Sequence, residues 1–114
     1  MEEISSPYRL VLTTIGNEQD AHDLAQQLVN QGLAACVNVL PRMRSYYKWK
    51  GKPEQGDEHQ LVIKARAEQV ETLIDTIAAN HPYELPEILV VPIAGGLTAY
   101  LNWITESVYP HDEN

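Results

Sequence analysis

The spacing of apolar positions changes several times along the chain, and each change predicts an element. From Tyr8 to Ile15 the run is short and bounded by Gly16. Leu10 and Leu12 share one face and Val11, Thr13 and Ile15 the other, which predicts an inner strand apolar on both sides. Asn17 then offers an N-cap, with Glu18 and Asp20 where the helix dipole favours negative charge. Ala21, Leu24, Ala25, Leu28 and Val29 follow at helical spacing, and Gly32 stands where a left-handed terminating residue belongs. Residues 34–40 predict a second strand ending at Pro41. Alternation returns over 45–50, with Tyr47 and Trp49 on one face. Gly51-Lys52-Pro53 and Gly56 predict turns before a third strand over 58–66. There Leu61, Ile63 and Ala65 alternate with Val62, Lys64 and Arg66.

A second helix is predicted over 68–80, with Val70, Leu73, Ile74, Ile77 and Ala78 on one face. A polar connector follows, then a strand over 88–93, a break at Ala94-Gly95-Gly96, and a last helix over 97–108. Leu97, Tyr100, Leu101, Ile104 and Val108 form its stripe, with Trp103 beside it.

Strand, helix, strand, strand, helix, strand is the split βαβ order. It predicts an α+β, ferredoxin-like domain with an antiparallel sheet, a long central hairpin and an added C-terminal helix. Two helices cover one sheet face and leave the other to the last helix alone. Val11, Val62 and neighbouring apolar residues are expected on the uncovered side, and such a patch marks an interface. The hairpin is longer than a small domain covers, so Tyr47 and Trp49 are expected against a partner chain. Residues 1–7 and 110–114 read as polar tails flanking one domain over 8–109.

Composition adds exclusions. The 114 residues carry 16 acidic and 8 basic side chains, a formal charge of -8, which repels phosphate backbones. Arg42, Arg44, Lys48, Lys50 and Lys52, interleaved with Tyr46, Tyr47 and Trp49, would suit stacking on bases. They read at least as well as an amphipathic strand whose lysines face water, and the strand is preferred. No nucleic-acid partner is expected. Cys36 cannot form an internal disulfide, and its apolar neighbours predict a buried, inert thiol. Neither a leader pattern nor an apolar run of roughly 18 residues occurs, so a cytoplasmic protein without a membrane partner is expected.

The chemistry is concentrated in His81-Pro82-Tyr83-Glu84-Leu85-Pro86-Glu87. Each proline fixes its own φ and pushes the preceding residue towards extended backbone. An imidazole, a phenol and two carboxylates are therefore held on a stiff connector, which reads either as a rigid loop after a helix or as a binding site. His22 falls one position off the apolar stripe of its helix and reads as a solvated helix residue, while His59 and His111 have no partner at useful spacing and read as surface residues. No nucleophile stands with a base, and neither a phosphate-binding glycine loop nor an HExxH pair occurs, so an enzyme is not expected.

Four segments, Ala34-Ala35-Cys36-Val37-Asn38, Tyr46-Tyr47-Lys48-Trp49-Lys50-Gly51-Lys52, the His81–Glu87 connector and Tyr100-Leu101-Asn102-Trp103-Ile104, together resemble the divalent-cation tolerance family, CutA. The resemblance spans about residues 8 to 109. It implies a ferredoxin-like subunit in a homotrimer and an association with tolerance of copper and other divalent metals. The family pattern of a first-strand cysteine with two consecutive histidines falls here on Thr13 and Asn80-His81. Thr13 and Asn80 are poor ligands for copper, which prefers thiolate and imidazole. The expected metal site is therefore weak, at His81 and Glu84, for copper or another divalent cation, with no other cofactor.

Two further readings stand beside a metal-response protein. One is a small-molecule sensor like the trimeric P-II proteins, by analogy of fold, with Trp49, Lys64, Tyr83 and Glu87 lining a cleft between subunits. Lys64 on a central strand favours this reading, because a partly buried ammonium needs an anionic partner. Against it, Glu84 or Glu87 within the protein is the expected partner. The other is a trimeric scaffold for protein interaction.

Overall fold

The structure, a computed structural model, describes residues 6–108. The expectations for residues 1–5 and for 109–114, His111 included, lie outside the described residues. Strand β1 spans Tyr8–Ile15, helix α1 Glu18–Asn30, strand β2 Cys36–Trp49 and strand β3 Lys52–Arg66. A 3-10 turn over Ala67–Gln69 leads into helix α2, Val70–Asn80; strand β4, Ile88–Pro92, and helix α3, Thr98–Ser107, complete the domain. The four strands form one antiparallel sheet in the order β2-β3-β1-β4. This is the split βαβ arrangement that the order of patterns predicts.

Local chemistry explains the boundaries. The Asn17 side chain accepts the Asp20 amide at 2.9 Å, which satisfies one of the donors left free at a helix start. Gly32 ends α1 with φ 71°, a conformation costly for residues with a Cβ. The odd-numbered faces of β1 and β3 carry Val11, Ile15, Leu61, Ile63 and Ala65 into a core with Leu24 and Leu28 of α1 and Leu73 and Ile77 of α2. Val11 is fully buried there. It does not belong to the uncovered side, because its register partners Ile63 and Val90 share the helix-facing side.

The opposite sheet face is only partly covered. Helix α3 buries Ile104 and Val108 against Tyr8 and Ala35, and the Tyr8 hydroxyl lies 2.6 Å from Thr105 Oγ1. Leu97 and Tyr100 stay exposed despite their place on the helical stripe. Beyond α3, Leu12 pairs with Val62 on one side and Leu89 on the other, and Leu10 pairs with Val91. Leu89 is 54% exposed and Val91 39%, so this row of apolar side chains lies open in the single chain.

The hairpin departs most from expectation. β2 runs unbroken through Pro41, with the register shift between Leu40 and Met43 absorbing the interruption. β3 begins at Lys52, so Pro53 and Gly56 lie within a strand opposite Lys48 and Ser45. The whole reversal is made by Lys50 and Gly51, at φ 53° and 80°, the two positive values that a two-residue hairpin turn requires. The radius of gyration, 15.0 Å, exceeds the roughly 13 Å typical of a compact chain of this length, as a projecting hairpin demands.

Candidate functional site

The connector is fastened to the end of β1 by two side chains. At the C-cap of α2, His81 has extended backbone, φ -86° and ψ 138°, as the following proline requires. Its Nε2 lies 2.8 Å from the Thr14 carbonyl, and its Nδ1 accepts the Tyr83 amide at 3.1 Å. The tautomer with its proton on Nε2 satisfies both contacts, so both ring nitrogens are engaged. The His81 and Tyr83 rings meet edge to face, with centroids 4.7 Å apart.

Tyr83 makes the second tie. Its hydroxyl donates to Glu58 Oε2 at 2.8 Å and lies against Gly16, where a Cβ would approach it to 3.0 Å. Glycine serves closeness at that point, not φ, since a Cβ would press on the hydroxyl. Partial burial, followed by the hydrogen bond and the negative charge of Glu58, pushes the Tyr83 phenol up to about 12. The neighbouring Gly16 backbone pulls weakly the other way.

Between this connector and the hairpin lies an open cleft of about 720 Å³. Ser45 to Trp49 form one wall, Tyr83, Glu84, Leu85 and Glu87 the other, and Thr14 and Glu58 also line it. Of the four residues expected in a cleft, Trp49, Tyr83 and Glu87 meet here within one subunit, joined by Glu84. Lys64 does not join them. Its ammonium lies 3.7 Å from Cys36 Sγ and 5.9 Å from the Tyr100 ring centroid, beside α3. The expected ion pair of Lys64 with Glu84 or Glu87 is absent; among the described residues the ion pairs are His22–Glu18, Arg44–Asp57 and Arg66–Glu68. Glu58 faces the same side of β3 as Val62 and Lys64 by strand alternation. The cleft thus opens towards the sheet face that carries the uncovered apolar row.

Glu58 and Gly16 were not singled out in the sequence. Glu58 reads there only as the start of a strand, and its bond to a residue 25 positions away leaves no local signal. His59 is half-buried, not a surface residue, and its Nδ1 is buried without a hydrogen-bond partner. Cys36 is likewise only half-buried.

The residues present do not fit a tight copper site. Thr13 Oγ1 is buried in the core without a hydrogen-bond partner, Asn80 Nδ2 donates to the Thr76 carbonyl at 2.8 Å, and both His81 nitrogens are occupied. Among the described residues no three His, Cys, Asp or Glu side chains are gathered as a metal would need. Glu84 and Glu87 remain as oxygen donors, which suit hard cations better than copper.

The comparisons agree with this fold. The family model described as CutA1 divalent ion tolerance protein matches residues 9–107. The chain is 40% identical over 109 residues to the Arabidopsis thaliana protein named "Protein CutA, chloroplastic", covering 94% of this chain and 60% of that one. It is 41% identical over 108 residues to the divalent-cation tolerance protein CutA of Salmonella newport, covering 94% of both. The crystal structure of CutA from Xylella fastidiosa superposes with a TM-score of 0.88 at 39% identity, over 91% of this chain and all of that one. With the split βαβ sheet, the long hairpin and the His81 connector in place, the chain belongs to the CutA1 divalent-ion tolerance family.

Proposed function

We propose that this protein acts without catalysis, as a homotrimer, in the cellular response to divalent metal ions. The observation that carries the reading is the apolar row Leu10, Leu12, Val62, Leu89 and Val91, half-buried to exposed, on the sheet face that α3 covers only in part, in a chain of the divalent-ion tolerance family. Burying such a row is worth roughly 25 cal/mol per Å², and three copies around one axis would close their sheets upon each other. Direct cation binding is weak in this reading. It falls to the Glu84 carboxylate, joined by His81 only when the imidazole gives up its contact with Tyr83 or Thr14, and copper is one such cation. Cytoplasmic placement is part of the proposal; among the described residues no helix is long and apolar enough to cross a membrane. Calorimetric titration of the metal-free protein with copper and zinc tests the metal arm. Weak, saturable uptake lost in His81→Ala supports it, and tight uptake that survives the change overturns the site.

A second reading, a small-molecule sensor, is favoured by one observation. Trp49, Tyr83 and Glu87 do converge on one cleft, and the cleft opens towards the face where subunits would meet. Filling by a ligand would then be felt at the subunit boundary. Saturable binding of a small organic molecule that moves the Trp49 signal supports this reading.

A further inference from the structure

The cleft has a character beyond the Glu84 carboxylate that the metal reading uses. Three carboxylates, Glu58, Glu84 and Glu87, line it against one ammonium, Lys48. Glu58 is held by the Tyr83 hydroxyl, which leaves Glu84 and Glu87 as the free negative charges. They are not gathered with other donors into a metal-binding group. The walls between them are aromatic: Tyr47, Trp49 and Tyr83. Aromatic faces attract cations, and more strongly where water is partly excluded. Outside the cleft lining, Lys50 Nζ lies 5.8 Å from the Trp49 ring centroid, so this indole already has an ammonium as a neighbour.

We propose that the cleft between the hairpin and the connector binds a small organic ammonium ion, its charge facing Glu84 and Glu87 and its body lying among Tyr47, Trp49 and Tyr83. The inference rests on the sensor reading and names the ligand class of that site. Size agrees: about 720 Å³ lies within the roughly 300–1,000 Å³ of small-molecule sites and far exceeds a bare metal ion. Stiffness agrees as well. Pro82 and Pro86 bracket the wall, and His81 and Tyr83 bind it to Thr14 and Glu58, so little ordering remains to be paid on binding. Charge excludes the opposite class. Nucleotides and other phosphates would meet two unpaired carboxylates and only one lysine.

The two tryptophans supply the test. Trp49 lines the cleft and Trp103 lies on α3, so their indole N–H signals in a nitrogen-proton correlation spectrum report the site and a remote control. The full chain is titrated with benzyltrimethylammonium, with benzyl alcohol as its uncharged counterpart, and with ATP. The expected result is a saturable shift of Trp49 alone with the ammonium. Benzyl alcohol should bind at least tenfold more weakly, and Glu84→Gln with Glu87→Gln should weaken the ammonium by about tenfold, the scale of one or two such contacts. A melt confirms that the double variant is folded, and Lys64→Met should leave the titration unchanged. Equal or tighter binding of benzyl alcohol or ATP overturns the ammonium inference and leaves the sensor reading intact. An immobile Trp49 signal with all three probes overturns both.

Discussion

The Tyr83 hydroxyl donates to Glu58 Oε2 at 2.8 Å, joining a connector that follows α2 to the base of a hairpin 25 residues earlier. Partial burial, followed by this bond and the Glu58 charge, costs Tyr83 its ordinary acidity, so the connector's attachment depends on pH. The phenol is pushed up to about 12 in the folded chain, against 10.0 unperturbed. A pKa raised by folding means that the protonated form is the one that is stabilised. The contribution is fully present below about pH 10 and is lost as pH rises towards 12. Denaturant unfolding of wild type and Tyr83→Phe at a series of alkaline pH values should show the difference shrinking across that window. A difference that stays constant up to pH 12 would contradict the assignment.

Gly16 leaves room for the same hydroxyl. In Gly16→Ala the new methyl would stand 3.0 Å from the Tyr83 oxygen and 3.5 Å from the Asp57 carbonyl. Tyr83 is expected to give way, since the side-chain tip moves more cheaply than backbone. Spectroscopic titration should then find the most alkaline tyrosine of wild type shifted back towards 10.

His81 holds two backbone groups at once, so its loss should be felt without any metal. Removing both contacts in His81→Ala is expected to cost about 1–2 kcal/mol, because a hydrogen bond contributes roughly 1 kcal/mol and these two are partly solvated. Chemical denaturation of metal-free protein checks this. An unchanged midpoint would mean that the connector is held by Tyr83 alone.

Thr13 offers a test of the opposite sign. Its Oγ1 is buried with no hydrogen-bond partner, and an unpaired buried hydroxyl carries a desolvation penalty. Thr13→Val keeps the shape and removes the hydroxyl, so stability should rise by about 1 kcal/mol. A loss of similar size would show that the hydroxyl is paired in solution.

Trp49 was expected from its place on the hairpin to pack against a partner chain. Lining the cleft does not remove Trp49 from the subunit boundary, so the mass and the ligand affinity of one variant tell the two roles apart. Trp49→Ala should keep the wild-type mass at micromolar concentration while losing most of its affinity for benzyltrimethylammonium. Dissociation into single chains would return Trp49 to the subunit boundary and leave the cleft reading without its main wall.

How much of this was legible in the sequence depends on the range of the cause. Periodicity placed all four strands and three helices, because alternating and helical spacing are local. It also placed the Asn17 cap and the Gly32 terminus, where single residues carry the chemistry. The hairpin was misread where proline and glycine were taken as stops. Pro41 sits beside a register shift, and nothing lies within 4 Å of where a Cβ on Gly56 would stand, so neither interrupts the ladder. Trp49, Tyr83 and Glu87, expected in a cleft between subunits, line one cleft within a single subunit. Glu58 and Gly16 were missed because their roles exist only once the connector folds back on β1. Lys64 lies apart from that cleft within the subunit, which was hidden for a related reason. Alternation gives the face of a strand, but not which end of that face α3 covers.

If further copies of the chain complete the half-covered sheet, the mass in solution shows it. Sedimentation equilibrium of wild type at micromolar concentration should give about three times 12.8 kDa. Leu12→Asp, which places a charge in the middle of the open apolar row, should give a single chain. A wild-type protein that sediments at 12.8 kDa across that concentration range would contradict the account.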